Sequence, residues 1–287
     1  MILHFGILLA FAAMLSWAFG DFLIQRSTRK VGDVQALAII GIVGGIGILP
    51  FIIKDLPLLF VKENLIFLVA LGVLTFFDAI LDFEALKEGK LSIIDVIFEI
   101  ELPVTIALSY LFFKETLTTM QFIIIFIVLW GMVLIATKSF SHWRTRLEKG
   151  VWIAFASAIL MGVVNFMTAS SSKRISPLLA VWVPWVVFTF ITLVVIWKRE
   201  GLSNFGKNLR QFRWLLIMTG ITDTIAWIFY SFAVLKNNIG IITAITECYP
   251  ALAMFLGLWL NKETIKWHQY LGAGLALAGS IVLAIIA

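Results

Sequence analysis

Apolar residues fill this chain in long blocks, separated by short polar interruptions. A membrane span needs about 20 mostly apolar residues. Charges, glycines and prolines divide the chain into ten such blocks, at about 3–24, 34–53, 65–86, 91–113, 119–137, 151–170, 178–197, 213–235, 239–260 and 267–286. The longest connections, "KSFSHWRTRLEKG" (138–150) and "KREGLSNFGKNLRQFR" (198–213), are too short to hold a soluble domain.

Composition strengthens this reading. Of 287 residues, 61% are hydrophobic and 14% charged, with a mean hydropathy of +1.03. A soluble domain carries about 25% charged residues. The pattern therefore predicts an all-α polytopic membrane protein, which we place in a prokaryotic plasma membrane. The first apolar run lacks a basic leader segment and should be retained as a span. A single cysteine, Cys248, excludes an intramolecular disulfide, and three scattered histidines give no basis for a metal or haem site. We expect no cofactor, no metal and no nucleic-acid partner.

The two halves resemble each other. "GILLAFAAMLSWAFGDF" (6–22) aligns with "GVWIAFASAILMGVVNF" (150–166), placing Asp21 on Asn165. Lys-Glu-Thr recurs at 114–116 and 262–264, Gln121 matches Gln269, and Gly131 matches Gly279. Pro103 and Pro250 lie at nearly the same depth of spans four and nine. We assign 1–140 and 150–287 to two five-helix repeats. An odd number of spans per repeat makes the copies enter the membrane in opposite senses. That is the inverted-repeat plan of many transporters, with substrate held between the repeats near the midplane.

These features together resemble the drug/metabolite transporter superfamily, and within it the EamA-type permeases. The resemblance covers essentially the whole chain and implies a carrier of small metabolites, often an exporter. It also implies a structural role for the Lys-Glu-Thr turns.

Nine acidic residues fall within the predicted spans: Asp21, Asp78, Asp82, Glu84, Asp95, Glu99, Glu101, Asp223 and Glu247. A charge at the bilayer centre costs about 2.5–3.5 kcal/mol on insertion scales. Lys and Arg are nearly absent at the same depths. The deep acids must then hold protons or face a cation that comes from outside the chain. Asp21, Asp82, Glu84 and Asp95 lie near span ends, where hydration or pairing with Arg26, Lys87 or Lys90 is the simpler reading. Asp78, Glu99, Glu101, Asp223 and Glu247 lie deeper.

Helical spacing sorts this second group. Asp95, Glu99 and Pro103 share one face, and each residue turns a helix by about 100°, so Glu101 points away from Glu99 on a straight helix. Either only Glu99 addresses substrate, which we prefer, or a break near Pro103 turns both inward. In the second half Asp223, Trp227 and Tyr230 form one stripe, and Thr243, Glu247 and Pro250 another. A carboxylate beside aromatic faces suits an amine or quaternary ammonium, through Coulomb attraction and cation–π contact. Trp17, Trp182, Trp185 and Trp227 are possible walls, Trp17 and Trp227 being best placed by depth. The expected substrate site is thus Glu99, Glu247, Asp223, Asp78, Trp17, Trp227 and Tyr230.

Small residues in "GIVGGIG" (41–47) and at Gly274/Ala278 predict close helix packing, within one chain or across a homodimer. The glycines are no nucleotide loop, because no strand precedes them. Odd-numbered connections carry 16 Lys and Arg residues and even-numbered ones 6. The positive-inside rule then places the odd connections in the cytoplasm and both termini outside, whereas the family resemblance implies the reverse. The reading that best fits the chain is a secondary transporter, not an enzyme, for a small cationic or zwitterionic metabolite, with protons as a possible coupling ion. The alternative is a non-transporting membrane receptor or assembly protein on the same fold.

Overall fold

Long apolar stretches with no room for backbone polar groups to meet water must satisfy their hydrogen bonds internally, and the helix does so. The computed structural model describes residues 2–88, 97–137, 149–199, 201–260 and 266–287, and these are helical almost throughout. The helices are α1 (Ile2–Val31), α2 (Asp33–Ile48), α3 (Lys62–Glu88), α4 (Glu101–Phe113), α5 (Thr119–Ala136), α6 (Lys149–Arg174), α7 (Pro177–Arg199), α8 (Leu202–Ala233), α9 (Ile239–Thr246), α10 (Tyr249–Leu260) and α11 (Trp267–Ile286). Together α9 and α10 make the ninth span. Among the described residues nine segments are long and apolar enough to cross a membrane, and Glu101–Phe113 is a shorter apolar helix that supplies the tenth. The chain is an integral, multi-pass membrane protein of two inverted five-helix repeats.

The helices interlock between repeats. α1 lies against α8, α2 against α7 and α8, and α3 against α6 and α7, while α5 pairs with α11. α1 and α8 run antiparallel. Ser27 Oγ and Thr219 Oγ1 are 2.7 Å apart near one end, and Gly6 meets Asn237 near the other. Two glycine contacts set the closest crossings. A Cβ on Gly131 would lie 2.7 Å from the Gly272 carbonyl oxygen, so α5 and α11 touch backbone to backbone. A Cβ on Gly41 would collide with Thr189, which brings α2 onto α7. Gly274 meets nothing within 4 Å, so the α11 packing face is Gly272 and Gly279 rather than Gly274/Ala278.

The even-numbered connections are tied together on one face of the membrane. Lys173 Nζ donates to Glu115 Oε1 (2.5 Å) and to the Asn237 carbonyl (2.8 Å). Glu115 Oε2 accepts from Ser109 Oγ and from the Ile239 backbone N–H, each at 2.6 Å. The first Lys-Glu-Thr turn therefore joins α4, α6 and the start of α9, where a carboxylate also suits the positive end of the helix. Its second copy, at 262–264, lies outside the described residues.

One boundary differs from the periodicity reading. The eighth span was expected from 213, yet the helix begins at Leu202 and departs from helical geometry only at Phe212 (φ −114°, ψ 21°). Phe205, Leu209 and Phe212 pack on Val31, Ala36, Ile39 and Leu216, so tertiary contact makes this polar segment a helix.

Candidate substrate site

The fourth and ninth spans break at equivalent places. Residues 99–100 and 247–248 are turns, related by the same offset that aligns Gln121 with Gln269. The Ile100 N–H bonds the Ile97 carbonyl (3.1 Å) and the Cys248 N–H bonds the Ile245 carbonyl (3.3 Å), a tightened i→i−3 pattern in both. Proline explains the position. Pro103 has no N–H for the carbonyl of Glu99, and Pro250 none for that of Thr246, so the ladder lapses there. Each proline then sits in the first turn of the following helix, where an N–H would lack a helical partner anyway.

The break changes the geometry of "IFEIELP". A straight helix would turn Glu101 away from Glu99. Here the carboxyls of Glu101 and Glu247 come close enough to share a proton, and Glu99 and Asp78 lie within electrostatic reach of Glu101. Asp78 is 2% exposed and accepts a hydrogen bond from Ser157 Oγ (3.3 Å). The second of the two sequence alternatives, a local break, describes the observed backbone.

A second group of acids meets where α1 crosses α8. Trp17 and Asp21 are one turn apart on α1, and Asp223 and Trp227 one turn apart on α8. Because the helices are antiparallel, Trp faces Trp and acid faces acid. Trp17 and Trp227 meet edge to face, with ring centroids 5.2 Å apart and an interplanar angle of 86°. Asp21 lies in electrostatic range of Asp82, Asp223, Glu247 and the Tyr249 hydroxyl. Tyr249 also lays its ring 6.3 Å from Trp17. The Asp21 carboxyl is therefore not paired with Arg26, whose guanidinium lies 4.3 Å over Phe22. Asp95 lies outside the described residues.

Aromatic rings close this region. Tyr230 is fully buried, 5.9 Å from both Trp17 and Trp227, with its hydroxyl 3.0 Å from Thr243 Oγ1 and donating to the Asn165 carbonyl (3.3 Å). Trp185 stands 5.9 Å from Trp227 and donates from Nε1 to Thr224 Oγ1 (3.1 Å). Trp182 serves packing instead, donating to the Gly45 carbonyl (2.8 Å).

The structure thus gathers Glu99, Glu247, Asp223, Asp78, Trp17, Trp227 and Tyr230 into one region, and adds Asp21, Asp82, Glu101 and Tyr249. Asp82 and Glu101 already stood among the acids of the predicted spans. Asp21 aligns with Asn165 in the other repeat, a polar position in both, and Tyr249 falls on Glu101 when Glu247 is laid on Glu99.

Inverted five-helix repeats around a polar centre are the plan of many membrane transporters. Comparison with known proteins agrees. The EamA-like transporter family model matches residues 4–137 and again 148–285, and the chain belongs to that family. It is therefore a membrane transporter of small molecules. It is 25% identical over 277 residues to an uncharacterized transporter of Clostridium kluyveri, covering 92% of this chain and 86% of the relative. It is 32% identical over 135 residues to an uncharacterized protein of Methanocaldococcus jannaschii, covering 47% of this chain and 98% of that protein. A solved crystal structure with 16% identity superposes with a TM-score of 0.80, over 98% of this chain and 97% of the other, and shares the fold.

Proposed function

We propose that this protein moves a small cationic or zwitterionic metabolite, such as an amine, amino acid or organic cation, by alternating access between its repeats. One observation carries the reading. Asp223 is 9% exposed and has no hydrogen bond or ion pair to any described residue, yet it sits one turn from Trp227. A buried carboxylate beside an aromatic face is matched by a cation from outside the chain. Asp21 and Asp82 bring further carboxyls to the same region, which suits cations better than anions.

The Glu101–Glu247 contact supplies a route for proton exchange. A carboxylate only accepts hydrogen bonds, so a bond between two carboxyl groups carries a proton. A substrate cation that displaces this proton is exchanged for it, and an inward proton gradient would then drive the cation out.

Purified protein in liposomes, loaded with a panel of labelled amines, amino acids and quaternary ammonium ions, tests this. Efflux of at least one cation should rise with an imposed proton gradient at clamped membrane potential. Uptake confined to anionic compounds would refute the acidic-site reading. Cation flux indifferent to the gradient would leave a uniporter.

A further inference from the structure

The segment from Trp197 to Trp214 has no counterpart in the first repeat. The equivalent connection between α2 and α3 consists of two short 3-10 turns, Leu49–Phe51 and Leu56–Phe60. Here the chain instead builds the helical lead-in of α8, bracketed by two tryptophans that are 65% and 66% exposed. Exposed tryptophans at span ends mark the level of the lipid headgroups.

Between them lie Lys198, Arg199, Lys207, Arg210 and Arg213, against the one acid Glu200. The apolar side of the helix docks on the bundle, and Asn208 Nδ2 holds it there by donating to Gln35 Oε1 (2.9 Å). Lys207, Arg210 and Arg213 are left on the exposed side. At the departure from helical geometry a concavity of about 600 Å³ opens, lined by Arg210, Arg213 and Trp214. Lys30 Nζ comes within 6.0 Å of the Phe212 ring, so the end of α1 adds Arg29 and Lys30 to the same face, against Asp33 at the start of α2.

We propose that this lead-in helix is a lipid-recognition element, which binds the phosphate of an anionic phospholipid between Arg210 and Arg213. The charge is complementary, the exposed tryptophans at both ends suit the headgroup region, and basic clusters beside a span are the usual means of gripping anionic lipid. The flanking tryptophans orient it towards the bilayer, which makes a lipid phosphate the occupant rather than a soluble anion. This inference is independent of the acidic centre and of what the protein carries.

Native mass spectrometry of the purified protein, offered phosphatidylglycerol and phosphatidylcholine, reads the preference directly. The wild type should retain phosphatidylglycerol about tenfold more strongly, and Lys207→Gln/Arg210→Gln/Arg213→Gln should fall to parity. The charge-preserving Lys207→Arg/Arg210→Lys/Arg213→Lys protein should keep the preference, as should Lys54→Gln/Lys62→Gln on the opposite face. Equal retention of the two lipids by the wild type would overturn the proposal. So would an unchanged preference in the neutralised variant, or displacement of phosphatidylglycerol by equimolar inorganic phosphate.

Discussion

The carboxyls of Glu101 and Glu247 meet although they are not equivalent residues in the two repeats. Repeat symmetry pairs Glu247 with Glu99. Glu101 lies two residues further along span four, and it is this residue rather than Glu99 whose carboxyl meets Glu247. The break at 99–100 frees it from the orientation that a straight helix would impose.

If the pair acts as one proton-holding unit, its members should be non-additive. Glu101→Gln and Glu247→Gln should each lower transport by about tenfold or more, and the double variant should be no worse than the worse single. Additive losses in proteoliposome flux would separate the two residues.

Asp223→Asn should abolish cation transport while leaving protein in the membrane at wild-type levels. Neutralising a buried, unpartnered carboxylate removes a desolvation cost, so the melting temperature in detergent should hold or rise. A variant that loses both activity and stability would mark Asp223 as structural.

The hub on the even face should behave in the opposite way. Glu115 and Lys173 are each 15% exposed, and Glu115→Ala leaves the ammonium and the Ile239 N–H without their acceptor. Loss of one partner from a buried pair costs about 3–5 kcal/mol. Thermal unfolding in detergent should show a clear drop, whereas Glu63→Ala, at an exposed carboxylate, should show almost none.

Loop charge makes a prediction of membrane orientation, opposite to the one the family resemblance implies. With 16 basic residues on odd connections against 6 on even ones, a reporter fused after Ala287 should lie outside the cytoplasm. A phosphatase domain that works only outside should be active there. Activity of a cytoplasm-only reporter at the same position would reverse the assignment.

Much of the architecture was written in the chain itself. Bilayer thickness converts apolar run length into spans, so the ten blocks and their near boundaries could be read directly, and odd repeats must invert. The deep acids were legible for the same reason, since a charge in hydrocarbon stands out against its neighbours. Their partnerships were not. Periodicity assumes an unbroken helix, and the two proline-linked breaks turned Glu101 inward where a straight helix would have turned it out. Distance from a span end measures depth but not which helix lies opposite. Asp21 therefore looked like a hydrated residue until the antiparallel crossing of α1 on α8 brought Asp223 and Tyr249 into its electrostatic range. The lead-in of α8 was hidden likewise. Its polar composition reads as a loop, and only packing against α1 and α2 supplies the apolar contact that makes it a helix.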